Sequence, residues 1–243
     1  MTAQPIVPLR ADGPTQAYVS VARSHVGRVR LINEDRVLDC PTASLWAVAD
    51  GMGGHSGGDL AAQAVVDRLR GLALSGRTLA LTDILVALSQ ANADICRRNR
   101  AAASDAGTTV VAATILDGQI QIAWAGDSRA YRLRDGRLDL LTRDHSVVQE
   151  LVDAGLITPA QAERHPSANV ITRALGIGDR LDCETMTADW RPGDRLLLCS
   201  DGLSRSMAAD DRHHGTDTDI ADALMAAALD RDGSDNVSLV LVG

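Results

Sequence analysis

One phrase recurs in this chain and limits what it can fold into: an apolar run that ends in aspartate, usually beside glycine. It reads LWAVAD-G at Asp50-Gly51, IAWAGD-S at Asp127 and RLLLCSD-G at Asp201-Gly202. It returns in mirror form as GSD-NVSLVLV, where Asp235 precedes the run. Runs this apolar are central strands, so their ends lie at the rim of a core. Any single Asp-Gly reads equally well as a turn. Four carboxylates beside the most apolar strands are harder to explain that way, because gathered at a rim they repel one another and hydrate poorly. Such a cluster is costly unless a cation holds it. Oxygen donors with no His or Cys at ligand spacing select hard ions such as Mg²⁺ or Mn²⁺ over zinc. The neighbouring glycines let a backbone carbonyl approach a metal or a substrate closely.

The rest of the pattern predicts how those strands are joined. Strands are expected at Ala17–Ser24 and Leu45–Ala49. A helix capped by Asp59 should run to about Leu72, with Leu60, Ala61, Ala64, Val65 and Leu69 along one face. A second starts at Thr82 or Asp83, with Ile84, Leu88, Ala91 and Ile95 as its buried stripe. Two hairpins follow, Thr108–Leu116 with Gln119–Ala125 around Asp117-Gly118, and Ala130–Arg134 with Arg137–Leu141 around Asp135-Gly136. Ser146 and Gln149 form a capping-box pattern before a short helix. Residues 155–180 look irregular. Strands return at Leu181–Thr187 and Arg195–Cys199, then a helix at Asp219–Leu229 and a last strand at Val237–Val242. Hairpins with inserted helices are not the βαβ alternation of a parallel sheet; they imply an α+β layered sandwich of antiparallel sheets. Residues 1–16 read as a disordered leader and 17–243 as a single domain.

Composition narrows the chemistry. The basic residues, 24 in all, are arginine without exception. With no lysine there is no P-loop lysine, no kinase ATP lysine and no Schiff base. A net charge of −8 and 2% aromatics argue against a nucleic-acid partner, since both the basic patch and the stacking platforms are missing. No run of 18 apolar residues exists to span a membrane. The four cysteines, Cys40, Cys96, Cys183 and Cys199, have no C-x-x-C spacing and read as thiols of a reducing compartment, the cytoplasm.

The same residues carry a family resemblance. GRVRLINED (27–35), AVADGMGGHSGG, GTTVVAA, GDSRAYRLRDG, LTRDHSVVQEL, HPSANVITRALG, GDRLLLCSDGLS and GSDNVSLVLV occur in that order. This resembles the metal-dependent type 2C serine/threonine protein phosphatases in their compact bacterial form, from about residue 17 to the C-terminus. The resemblance implies a four-layer α-β-β-α sandwich with two Mn²⁺ or Mg²⁺ ions between two antiparallel sheets. By position Asp50 would bridge the ions, the Gly51 carbonyl would complete one of them, and Asp201 and Asp235 would ligate directly. Glu34 and Asp35 would orient metal-bound waters, and Asp127 with Asp201 would hold a weaker third ion. Arg30 would bind the phosphate; Arg28 faces the same side, and the choice between them rests on the family spacing. His55 is the implied general acid, although its loop is longer than the short Asp-Gly-His of some relatives. The implied reaction is hydrolysis of phosphoserine and phosphothreonine on proteins by a metal-bridging hydroxide, opposing a bacterial serine/threonine kinase. Phosphoproteins, that kinase among them, are the implied partners, monomer is the family default, and residues 155–180 match the family's flap.

Several local patterns compete. Gly54-His55-Ser56-Gly57-Gly58 fits the G-x-S-x-G nucleophile elbow of serine hydrolases, but it stands five residues beyond the strand end at Ala49 rather than on a sharp strand–helix turn. A catalytically silent phosphoprotein-binding module is the other alternative, opposed by every metal position being filled. Asp144-His145-Ser146 could be part of a triad; Ser146 as a helix cap beside a packed His145 explains it more simply.

Overall fold

Alternate residues of the apolar strands are claimed by different layers, and that alternation organises the molecule. The computed structural model describes residues 18–53, 57–208, 211 and 214–243. The expected leader, 1–16, lies outside them. The chain runs through β1 (Ser20–His25), β2 (Arg36–Cys40), β3 (Leu45–Ala49) and β4 (Gly51–Met52) into α1 (Gly58–Ala73) and α2 (Leu81–Ala102). It continues as β5 (Gly107–Thr108), β6 (Val110–Leu116), β7 (Gln119–Ala125), β8 (Arg129–Arg134) and β9 (Arg137–Leu140). Then come α3 (Val147–Asp153), α4 (Pro159–Ala162), β10 (Glu184–Asp189), β11 (Arg195–Cys199), α5 (Asp201–Ser204), α6 (Asp217–Arg231) and β12 (Val237–Val242).

Two antiparallel sheets result, ordered β1-β12-β11-β8-β9 and β10-β7-β6-β3-β2. In β3, Leu45, Ala47 and Ala49 face a core shared with Ala61, Val65 and Leu69 of α1 and Ile84, Leu88 and Ile95 of α2. Trp46 and Val48 face the other way, meeting Ile120, Ile122, Leu196, Leu198, Val240 and Val242 between the sheets. On the second sheet Leu197, Cys199, Leu239 and Leu241 pack against Ile220, Leu224 and Ala228 of α6. The layers are therefore helix, sheet, sheet, helix, as expected. Each follows from the two-residue period of a strand whose two faces are both buried.

Both Asp-Gly hairpins form, with positive φ at Asp117 (50°), Gly118 (71°), Asp135 (51°) and Gly136 (75°), the left-handed pair that a tight two-residue turn needs. Helix starts differ by a residue or two from expectation. Gly57 rather than Asp59 precedes α1; Asp59 lies in the first turn, where it meets Arg36 at 3.4 Å. Thr216 caps α6 in a reciprocal box with Asp219. Among the described residues, sequence patterning missed β2 and the two-residue β4, which pairs with β5. Arg36 and Asp39 break the apolar run of β2, which sits at a sheet edge beside β3.

The registers bring the site together. Ala49 ends β3 opposite Arg36, Val110 opens β6 opposite Ala125, and Cys199 ends β11 opposite Leu239, just inside the start of β12. Asp35, Asp50, Asp127, Asp201 and Asp235 all follow or precede those positions. They share one rim.

Candidate metal centre

Asp50 is fixed through its backbone. Thr109 N donates to its carbonyl at 2.9 Å and Thr108 Oγ1 at 3.0 Å, while Asp50 N donates to Thr109 Oγ1 at 3.2 Å. Gly51 is needed for close approach, since a Cβ there would stand 2.2 Å from the Gly58 carbonyl oxygen. Across the seam, Asp201 opens α5 directly after β11. Asp35 is 2% exposed and accepts from Ser200 Oγ at 2.8 Å. Asn236 clamps the loop that carries Glu34 and Arg30. Its amide donates to Val26 O (2.9 Å) and Ile32 O (3.0 Å), and its Oδ1 accepts from Glu34 N (2.8 Å). Where that loop begins, Gly27 adopts φ +83° with Asp235 O 2.2 Å from where a Cβ would sit, so no side chain fits.

The electrostatics are those of carboxylates forced together. Burial, followed by the charges of Asp35, Asp201, Asp127 and Asp235, pushes the Asp50 carboxyl well above its ordinary range. Burial raises Asp35 to about 7, against the pull of hydrogen bonds from Ser238 and Ser200. Burial and the charge of Asp201 raise Asp127 to about 7, while Arg205 pulls it down. Burial also raises Asp201 and Glu34. Asp35 Oδ1 and Asp201 Oδ1 are buried with no hydrogen-bond partner. Buried carboxylate oxygens left without donors fit a divalent cation. Among the described residues no three His, Cys, Asp or Glu side chains converge as a finished ligand set. Instead Asp235 turns to Arg30 at 2.9 Å, and Asp127 and Asp201 turn to Arg205 at 3.2 and 2.9 Å.

Residues 23–235 match the family model for protein phosphatase 2C. The chain belongs to that family. Among its relatives is the serine/threonine protein phosphatase PstP of Mycobacterium tuberculosis, 37% identical over 227 residues, covering 90% of this chain. The chain spans only 44% of that relative's length. The serine/threonine phosphatase stp of Listeria monocytogenes is 34% identical over 236 residues, covering 90% of this chain and 93% of its own. Among solved structures, the catalytic domain of PstP in complex with two manganese ions superposes with a TM-score of 0.84 at 35% identity, over 93% of this chain and 97% of that one.

The structure thus brings together Asp50, Gly51, Asp35, Glu34, Asp127, Asp201 and Asp235, with Arg30 at their edge. His55 and the elbow serine, Ser56, lie outside the described residues. His145 belongs to no triad: Ser146 Oγ caps α3 by accepting from Gln149 N at 3.2 Å. His145 Nδ1 accepts from Gly126 N at 3.1 Å and its ring stacks on Trp124, so it props the strand end just before Asp127. Sequence reasoning missed four supporting residues of the site. Thr108 and Thr109 stood inside the GTTVVAA block without a role. Asn236 directly follows a ligand position. Arg205 follows Asp201 at the i,i+4 helical spacing, which is a signal for pairing.

Proposed function

We propose that this chain hydrolyses phosphoserine and phosphothreonine on proteins, using two Mn²⁺ or Mg²⁺ ions and opposing a serine/threonine kinase. The observation that carries this reading is the gathering of buried acidic side chains from both sheets at one rim, two of their oxygens unpartnered, with Arg30 beside them. Asp50, Asp201, Asp235 and the Gly51 carbonyl would hold the ions, with Glu34 and Asp35 steadying their waters. Bound there, two divalent ions supply a nucleophile at neutral pH and offset the phosphoryl charge. Arg30 is about half exposed, and its guanidinium, which rests on Asp235, would take non-bridging phosphate oxygens in a planar fork once Asp235 releases it. Asp50 is partly buried and its backbone is anchored by Thr108 and Thr109, which fixes where its carboxylate enters the site. His55, by its place in the loop, is the proposed proton donor to the departing serine or threonine oxygen.

Where a weaker third ion would sit, between Asp127 and Asp201, Arg205 already bridges the two carboxylates. The acidic net charge favours phosphosites flanked by arginine or lysine. The protein is proposed to work as a monomer in the cytoplasm; its four cysteines are unpaired, and no described helix is long and apolar enough to cross a membrane.

The test is phosphate release from a phosphothreonine peptide and from p-nitrophenyl phosphate, with Mn²⁺ and with chelator. Activity should require the ion and fall by several orders of magnitude in Asp50→Asn. Peptide binding without release would instead favour the silent module, and activity indifferent to chelator would favour a serine hydrolase.

A further inference from the structure

Arg205 closes α5, one helical turn beyond Asp201. One of its guanidinium nitrogens, Nη2, lies 2.9 Å from Asp201 Oδ2 and 3.2 Å from Asp127 Oδ2. The other, Nη1, donates to Asn169 Oδ1 at 2.5 Å. Asp127 is buried at 7% exposure, and a carboxylate so placed beside another needs a positive partner. Asn169 belongs to the irregular stretch 155–180. That stretch is also tied to the rim by the short bridges Ser146–Ile171 and Thr108–Leu175, and its later part to α2 through Asn92 and Asn99. A single planar side chain therefore neutralises two acids of the centre and grips the segment that borders it.

We infer that Arg205 is a positioning residue: a built-in cation standing between Asp127 and Asp201 where a third metal ion would otherwise bind, and a tether holding 155–180 against the rim through Asn169. The inference rests on the two-ion phosphatase reading for its first half only, since the tether needs no metal. A fixed guanidinium differs from an exchangeable ion in two ways. It cannot be lost to a chelator, and it joins parts of the chain by directed hydrogen bonds that a spherical charge does not make.

The experiment pairs Mn²⁺ titration by calorimetry with tryptic cleavage after Arg164 and Arg173 in chelator, on wild type, Arg205→Ala, Arg205→Lys and Asn169→Ala. Wild type should bind two ions and Arg205→Ala three, the added one weaker. Arg205→Lys keeps the charge, so it should return the count to two. Cleavage within 155–180 should quicken roughly tenfold in Arg205→Ala and in Asn169→Ala, the loss of one charge-assisted hydrogen bond. It should remain fast in Arg205→Lys, which lacks the fork. Equal ion counts in wild type and Arg205→Ala, or cleavage unchanged in Arg205→Ala, would overturn the inference. Should wild type bind no Mn²⁺, the phosphatase reading fails, and with it the cation half, while the proteolysis still decides the tether. Thermal melting of each variant separates these effects from loss of fold. Asn169→Ala, which leaves both carboxylates and Arg205 in place, keeps the tether testable if Arg205→Ala proves unstable.

Discussion

Arg30 and Asp235 hold each other at 2.9 Å, and on the proposed two-ion reading the pair would set the order in which the site is filled. Asp235 would give up Arg30 on taking an ion, leaving the Arg30 fork for phosphate. Arg30→Ala should therefore raise KM for a phosphopeptide by about 10–100-fold, the worth of a charge-assisted pair of hydrogen bonds, with a smaller change in kcat. Steady-state kinetics with saturating Mn²⁺ checks this, and a kcat effect larger than the KM effect would move Arg30 from binding into the chemical step. Arg28 provides the control. It is occupied by Asp230 at 2.5 Å, away from the centre, so Arg28→Ala should leave KM near wild type. The choice between these two arginines could not be made from spacing alone, because the extended strand expected there would put both on the same side; the structure places them in a loop instead. Their partners, more than two hundred positions away, are what separate them.

The loop from Val26 to Asp35 has little regular structure, and one buried amide, Asn236 at the mouth of β12, bonds it at three points beside the ties from Gly233, Ser24 and Ser200. Asn236→Ala removes bonds to Val26, Ile32 and Glu34 together. It should cost about 2–4 kcal/mol by denaturant unfolding, summed over three partly buried hydrogen bonds. Because the loop carries Arg30 and Glu34, affinity for Mn²⁺ and for phosphopeptide should fall as well; a stability loss with both affinities intact would make Asn236 merely structural. At this scale the sequence was a good guide wherever burial was complete. LWAVA and VSLVLV are buried at every position and RLLLC at every position but Arg195, so their apolar runs announced strands and their flanking aspartates announced the rim. It guided poorly where a strand is an edge. In β2 only Leu38 is fully buried, and β10 alternates half-buried with exposed residues from Glu184 to Asp189, so its bounds fall later than Leu181–Thr187. The supports of the centre were illegible for another reason. Thr109, Asn236 and Arg205 act through partners dozens to hundreds of residues distant, and only the closed sandwich sets those pairs side by side.

Across the whole molecule the acidic rim makes stability depend on pH in a direction opposite to the usual one. Asp35 and Asp127 titrate at about 7 in the folded, metal-free chain, against roughly 4 when unfolded. Between those values the folded state holds protons that the unfolded state has released, so these groups favour folding at low pH and lose that contribution as pH rises toward 7. His145 works the other way. Burial and the nearby Arg173 lower it, so its contribution improves as pH climbs past the folded value toward the ordinary histidine range. Comparing melting temperatures with and without Mn²⁺ cancels His145 and isolates the rim. The gap should widen steadily from pH 5 to pH 7.5, and calorimetry in buffers of differing ionisation enthalpy should detect protons expelled on ion binding. A gap independent of pH would mean that the carboxylates are already ionised. The proposed donors also come from opposite sheets, Asp50 from the end of β3 and Asp201 and Asp235 from beside β11 and β12. On the proposed reading cation loading would act as a rivet through the sandwich, and a chain stretched until its halves part should surrender its ions before either half unravels, making metal release a gauge of mechanical opening.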